Sequence, residues 1–544
     1  MRMGEFPKKK ITWATSFLII ALFLSNILGM VRDRVLVTLF DTKVLSTYHA
    51  AFRIPDLIFN LLIIGALSSA IIPIFTSYLI RHQKEEAWHI INSIISLGFL
   101  ATALFSFMVG IFAPYLIKII VPGFDPERTK ITINLTRLFL ICPIFFGFSS
   151  IFGSVLNSFK KFFIYSLAPI FYNLGIIFGA LIFSPFLGIY GVGLGVVLGA
   201  FLHMAIQIPS LISVGFRFRP ALDFRNLGVK NITRLIIPRS LSLGMGQFIF
   251  LANTILGSLI GTGAIAIINL ANNIQTLPTV VFGVAFATTL FPHLAEKAAQ
   301  LRKESFRSDL FWGIRAILFF IIPASVGLIL LRAQTVRLIL GSYRFTWTDT
   351  MLTAGSLGVF SVSLFAQALL PLLSQAFFSF HDTKTPLLIT TASVAFNIVL
   401  AFLFTRSLFN PFFQTLGRTT SDSRVIGLAL AFSLASIFNL SLLFFYLQKK
   451  LGDFKVGEIL ASSLKIILAS LIMALAVYGT LHLVAPLVDM TRVWGILTQT
   501  LVAIATGLVV YFGLASLLGF EEMKTLKVVF SSIKKRFSSF RKIK

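Results

Sequence analysis

Residues 11–40, ITWATSFLIIALFLSNILGMVRDRVLVTLF, carry no charge from Ile11 to Val31 and then three in a row, Arg32-Asp33-Arg34. At a rise of ~1.5 Å per helical residue, an uncharged run of that length covers the ~30 Å hydrocarbon layer of a bilayer. The residues before it include Arg2, Lys8, Lys9 and Lys10, the basic flank of a secretory signal. The apolar run is too long for such a signal, however, and lacks a small-residue cleavage site. It reads as an uncleaved first membrane span.

Outward from that stretch, the same pattern recurs to the C-terminus. Of 544 residues, 57% are hydrophobic and 12% charged, against about 25% charged in soluble chains, which excludes a soluble enzyme. Apolar runs bounded by charge or Pro/Gly clusters give about fourteen helices, so the expected fold is an all-α polytopic membrane protein. Alternating those spans places 29 Lys and Arg on the N-terminal side and 8 on the other, which predicts that both termini are cytoplasmic. The net charge of +27 is explained by this sidedness, and with no base-stacking module in the chain no nucleic-acid partner is expected. One cysteine and seven scattered histidines form no metal-ligand pattern, and no P-loop or Ser/His/Asp set is present. Neither catalysis, metal nor cofactor is expected.

Two segments resemble each other. LNSFKKFFIYSLAPIFYN from Leu156 and AFFSFHDTKTPLLITTASVAFN from Ala376 both place a short basic turn between apolar helices. The repeat predicts two six-helix lobes, residues 1–214 and 233–448, related by a pseudo-twofold axis along the membrane normal. A cytoplasmic linker (215–232) joins them, two further helices follow (449–519), and a basic cytoplasmic tail (520–544) ends the chain. Gly191, Gly195 and Gly199 fall on one helix face and predict close backbone packing rather than a substrate role. Ser46 and Ser342 are expected at the outer surface.

Charges within membrane spans cost roughly 2.5–3.5 kcal/mol each and should line water or meet a partner. Arg32 and Asp33 near the far end of the first span are candidates, with snorkelling to headgroups as the alternative. Arg53 lies deeper, and Asp56 three residues on shares its helix face, so an anion contact and a structural pair are both open to Arg53. Arg239 follows Pro238, while Arg315, Arg332 and Arg337 are expected to snorkel. Ser25, Asn26, Gln247, Asn253, Asn272, Asn273 and Asn397 are polar groups in apolar spans that should face the bundle interior.

Ser25-Asn26-Ile27-Leu28-Gly29-Met30-Val31-Arg32-Asp33 and Ala51-Phe52-Arg53-Ile54-Pro55 resemble the first helices of the MurJ/MviN lipid II flippases, of the multidrug/oligosaccharidyl-lipid/polysaccharide exporter superfamily. Pro238-Arg239 with Gln247, and Asp382-Thr383-Lys384-Thr385-Pro386, continue the resemblance over nearly the whole chain. It implies two lobes rocking about a central cavity. It also implies a polyprenyl-linked glycolipid substrate, with Arg32, Asp33, Arg53, Ser25, Asn26, Asn272, Asn273, Arg239 and Gln247 as cavity residues. Asn253 and Asn397 are the candidate positions of an ion site; some relatives carry an acidic residue where Asn253 stands, and with no carboxylate on either helix here, coupling to sodium is not expected. The chain departs from the family at Asn26, Ser46, Phe59, Ile64 and Asn272-Asn273, where charged residues are usual.

The resulting expectation is a monomeric flippase of the bacterial inner (cytoplasmic) membrane that moves lipid II from the inner to the outer leaflet by alternating access. A carrier of another polyprenyl-linked glycan or amphipathic small molecule, or a transport-inactive scaffold, are the alternatives. The tail from Leu526 spaces Leu526, Phe530, Ile533, Phe537 and Phe540 on one helical face, with basic residues around them, and is expected to lie on anionic lipids.

Overall fold

The computed structural model describes residues 13–62, 66–223, 225–261, 263–419, 421–452 and 456–523, with side chains from residue 20 onward except at 62, 66–70, 162, 235–243 and 456. The basic tail expected on anionic lipids therefore lies outside the described residues, as does the side chain of Arg239. Among the described residues there is no strand.

The helices run in chain order as α1 (Trp13–Leu39), α2 (Thr42–Ala51), α3 (Arg53–Leu62), α4 (Ala66–Ile80), α5 (Lys84–Ile120), α6 (Pro126–Phe139), α7 (Cys142–Ser158) and α8 (Phe162–Phe178). They continue as α9 (Ser184–Leu187), α10 (Ile189–Ala205), α11 (Ile208–Ser213), α12 (Leu227–Gly244), α13 (Gln247–Ile260), α14 (Ala264–Pro278), α15 (Ala285–Ala299) and α16 (Lys303–Leu330). The remainder are α17 (Arg332–Leu340), α18 (Trp347–Val362), α19 (Leu364–Ser379), α20 (Lys384–Phe404), α21 (Asn410–Gly417), α22 (Arg424–Leu451), α23 (Val456–Val484) and α24 (Val493–Leu517).

Among the described residues, ten helical segments are long and apolar enough to cross a membrane, eleven if the bent α18–α19 pair is one span. The first, second and seventh expected spans fall outside that number for visible reasons. The first lies partly outside the residues whose side chains are described, the second is broken between α2 and α3 at Phe52, and the seventh is broken between α12 and α13.

The chain forms two compact units. The first comprises Met1–Leu277, Ile339–Ser356 and Asp382–Ala435. Within it, glycines set the spacing of α8 and α10. A Cβ on Gly179 would come within 2.3 Å of the Gly195 Cα, and one on Gly175 within 2.4 Å of the Gly199 Cα, so the two backbones touch. That contact bears out the packing role expected of Gly195 and Gly199 and fixes α8, whose other flank lies on α1. Asp41 and Asp125 cap α2 and α6 by accepting from the backbone N–H of Val44 and Arg128 at 2.8 and 2.9 Å. Ser46, expected at the surface, is instead fully buried in α2, where its hydroxyl accepts from the Ala266 N–H at 3.1 Å.

The second unit comprises Pro278–Leu338, Leu357–His381 and Ser436–Lys544. It begins at the end of α14, where Pro278 and a π-helical turn over Thr279–Val284 interrupt the regular ladder before α15. Here α23 and α24 pack together and α23 lies on α16. The Tyr511 hydroxyl donates to the Phe319 carbonyl at 2.6 Å. Arg315 does not snorkel. It pairs with Glu521 and Glu522, each at 2.9 Å, because the turn after α24 returns two carboxylates to α16.

Candidate substrate cavity

The in-membrane charges of the first unit converge. Arg32 donates to the Asp33 carboxylate from Nε at 3.0 Å and from Nη2 at 2.8 Å, and its Nη1 donates to Asn173 Oδ1 on α8 at 3.1 Å. Asn173 in turn donates to the carbonyls of Ser25 at 3.2 Å and Pro169 at 3.1 Å, which ties α8 to α1 on both sides of Gly29. Asp33 is almost wholly buried, and its second oxygen accepts from Asn273 Nδ2 on α14 at 2.9 Å. One carboxylate therefore holds a cation from its own helix and an amide from a helix 240 residues away.

Arg53 opens α3 immediately after the break at Phe52, and its guanidinium reaches across to two other helices. Nε donates to Thr254 Oγ1 on α13 at 2.7 Å, Nη2 donates to Asn269 Oδ1 on α14 at 2.5 Å, and the group stands 5.6 Å from the Phe250 ring centroid. Among the described residues no hydrogen bond or ion pair joins Arg53 to Asp56. Sharing a helix face put the two in register, but the oxygens in the right place for the guanidinium fork are those of Thr254 and Asn269.

Further bonds run between the same groups of helices. Thr42 Oγ1 donates to Asp349 at 3.1 Å, Ser342 Oγ to the Val37 carbonyl at 2.7 Å, and the Gly123 N–H to Ser258 Oγ at 3.2 Å. A Cβ on Gly123 would fall 2.0 Å from the Ser258 carbonyl oxygen, so that approach requires glycine. Together with the Asp33 and Arg53 bonds, these make a polar seam within the first unit, joining α1–α3 and the turn before α6 to α13, α14 and residues 342–349.

The remaining expected positions divide. Ser25 joins through its carbonyl, whereas the Asn26 amide donates to the Leu22 carbonyl at 2.8 Å and stays local. Asn272 accepts from Gln275 at 2.9 Å and has no bond to the cluster, and Gln247 stands at the first turn of α13 without one. Asn253 and Asn397 are buried on α13 and α20, which pack against each other. Among the described residues, Asn253 Oδ1 and both amide atoms of Asn397 have no hydrogen-bond partner. Asn173, Thr254 and Asn269, with Thr42, Gly123, Ser258 and Asp349 elsewhere along the seam, are participants that sequence reasoning missed. Asn269 stands four residues before Asn273 and so on its helical face, a spacing that could have found it. Asn173 closes one copy of the repeat.

The family model described as "Lipid II flippase MurJ" matches residues 36–498. The chain belongs to the MurJ family. It is 28% identical over 441 residues to the probable lipid II flippase MurJ of Buchnera aphidicola subsp. Schizaphis graminum, covering 80% of this chain and 83% of that one. It is 25% identical over 530 residues to the corresponding protein of Bdellovibrio bacteriovorus, with 96% and 97% coverage. Among solved structures, lipid II flippase MurJ in an inward closed conformation superposes with a TM-score of 0.74 at 25% identity, over 92% of this chain and 98% of the other. An inward-facing multidrug transporter of the MATE family shares the fold at a TM-score of 0.64 and 16% identity, over 82% and 99%. With its apolar helices, this MurJ-family chain is a multi-pass bacterial membrane protein.

Proposed function

We infer that this chain translocates lipid II, the undecaprenyl-pyrophosphate-linked peptidoglycan precursor, from the inner to the outer leaflet by alternating access. It does so as a monomer of the inner membrane with both termini in the cytoplasm, and no bond is made or broken. Fourteen spans in two six-helix lobes plus two C-terminal helices accompany this reading. Family membership supports the substrate, and the observation that carries the mechanism is the placement of Arg53.

Its guanidinium is satisfied by two neutral oxygens on α13 and α14. A pyrophosphate offers charged acceptors in the planar spacing a guanidinium fits, and charge-assisted bonds are roughly twice as strong as neutral ones. The arriving headgroup therefore draws Arg53 away from Thr254 and Asn269 and removes two bonds from the seam. Substrate entry and seam release become one event. Arg32, about a fifth exposed and already oriented by Asp33 and Asn173, supplies the second cation. Asp33 and Asn273 hold that pair in position. The neutral asparagine at 273, where relatives carry charge, lets Asp33 remain committed to Arg32.

The deciding experiment replaces a host cell's own lipid II flippase with this protein. Arg53→Ala should abolish survival while the protein reaches the membrane at normal level, and Arg53→Lys should recover survival only in part, since lysine keeps the charge without the fork. Because Asp56 is not the hydrogen-bonding partner, adding Asp56→Ala to Arg53→Ala should restore nothing. Recovery of both level and activity in that double variant would refute the role. Topology is tested with cysteines at Lys43 and Tyr343, both exposed, since a label cannot reach the buried Ser46.

A further inference from the structure

Away from the seam, the first unit holds a cavity of about 230 Å³ where the C-terminal ends of α13 and α20 meet the N-terminal end of α22. Its walls are Leu256, Leu259, Ile260, Phe402, Thr405, Arg406 and Arg424. Leu259 and Phe402 are more than half exposed although they belong to membrane helices, so the apolar wall opens towards lipid. Arg406 is exposed and stacks over the Phe402 ring at 4.4 Å. Arg424 donates to both oxygens of Asp422 and, from Nη1, to the Thr405 carbonyl at 3.2 Å. With Arg424 and Asp422 balancing each other, the mouth of the cavity carries the single positive charge of Arg406.

The segment between the two arginines locates the membrane surface independently. Leu408, Phe412 and Leu416 recur every four residues along a 3-10 turn and α21, and all three are exposed, whereas Phe413, beside that stripe, is completely buried and packs on Phe404. A short helix with one face anchored in protein and an exposed apolar stripe beside it lies in the headgroup boundary of a bilayer. Arg406 and Arg424 flank this segment and thus stand at headgroup depth, where long basic side chains place their charge.

We propose that this cavity binds an anionic glycerophospholipid, with its phosphodiester on Arg406 and the edge of Arg424 and its acyl chains along Leu259 and Phe402. One net positive charge matches a phosphodiester monoanion. The volume, below the ~300–1,000 Å³ of sites for drug-sized ligands, admits a glycerol phosphate but not the sugar and peptide headgroup of the transported substrate. Under the topology proposed above the site faces the outer leaflet. The binding itself does not depend on that topology or on transport.

Native mass spectrometry of the full chain, released from micelles containing phosphatidylglycerol or phosphatidylcholine, tests the site. Phosphatidylglycerol should stay bound in preference to phosphatidylcholine, and Arg406→Gln should lower its retention about fivefold, the effect of one basic residue near an anionic lipid. Arg492→Gln, which removes an exposed arginine elsewhere, should leave retention unchanged. Millimolar inorganic phosphate should not displace the lipid, because the apolar wall holds the chains. Equal losses in the two variants would reduce the effect to general surface charge. Displacement by inorganic phosphate would leave a free-anion site only, and equal retention of phosphatidylcholine would leave an apolar groove only. Each of these results overturns the proposal.

Discussion

Asn173 and Asn397 close the two copies of the repeated motif, at the ends of APIFYN and SVAFN, yet they finish in opposite states. Asn173 uses its whole amide, accepting from Arg32 and donating to the Ser25 and Pro169 carbonyls. Asn397 is completely buried and neither amide atom has a partner, although it lies on a helix of similar character packed against α13. A repeat copies the backbone and the residue type. It does not copy what the neighbouring helix presents. The first copy faces α1, which brings an arginine, and the second packs on α13, where Asn253 is itself incompletely bonded. A buried amide with nothing to bond costs about 1–3 kcal/mol, so loss of the amide is expected to act in opposite directions at the two positions.

The largest test of this contrast removes the charge beneath the first copy. Asp33→Ala leaves a mostly buried Arg32 without its counter-ion and frees Asn273, and should lower the stability of the purified protein by about 3–5 kcal/mol, read as thermal unfolding and as membrane level. An unchanged melting curve would mean that the pair carries no stability. Asn173→Ala should cost less, about 1–3 kcal/mol, since Arg32 keeps Asp33 while losing one acceptor. Asn397→Leu should then be neutral or stabilising by about 1 kcal/mol, because the replacement removes only unmet polar atoms. A loss as large as that of Asn173→Ala would break the comparison and show that something polar is bound at Asn397. The smallest effect is expected from Asn253→Asp. A carboxylate there supplies the charge that a hard cation needs, so sodium at roughly five times its Kd should raise the variant's stability by about 1 kcal/mol and leave the parent unmoved. A parent that responds as strongly as the variant would place ion binding on the neutral amides.

The seam shows where reading along the chain stops short. Arg53 and Asp56 were legible as neighbours on one face, and Asp33 as a buried charge beside Arg32. That Arg53 bonds to Thr254 and Asn269, more than 200 residues on, was not, because threonine and asparagine in apolar helices are ordinary residues until a cation stands opposite. Ser46 illustrates the reverse error. A serine near a helix start next to charged Asp41 and Lys43 suggests the surface, but the close approach of α2 to the start of α14 buries it and makes its hydroxyl the acceptor for Ala266. Arg315 was misread for a similar reason. Its partners, Glu521 and Glu522, follow the last described membrane helix and are brought back only by the packing of α23 and α24.

Composition and periodicity alone determined that the chain is helical and lives in a bilayer, since uncharged runs of span length have no other stable environment and a helix satisfies its backbone without water. The spacing of Gly191, Gly195 and Gly199 likewise determined a close helix contact, because a missing Cβ is a property of the residue itself. Which polar side chains meet was decided only by tertiary structure. In a low-dielectric interior a hydrogen-bonding group takes whichever partner the packing brings within about 3 Å, and that choice depends on helices hundreds of residues apart in sequence.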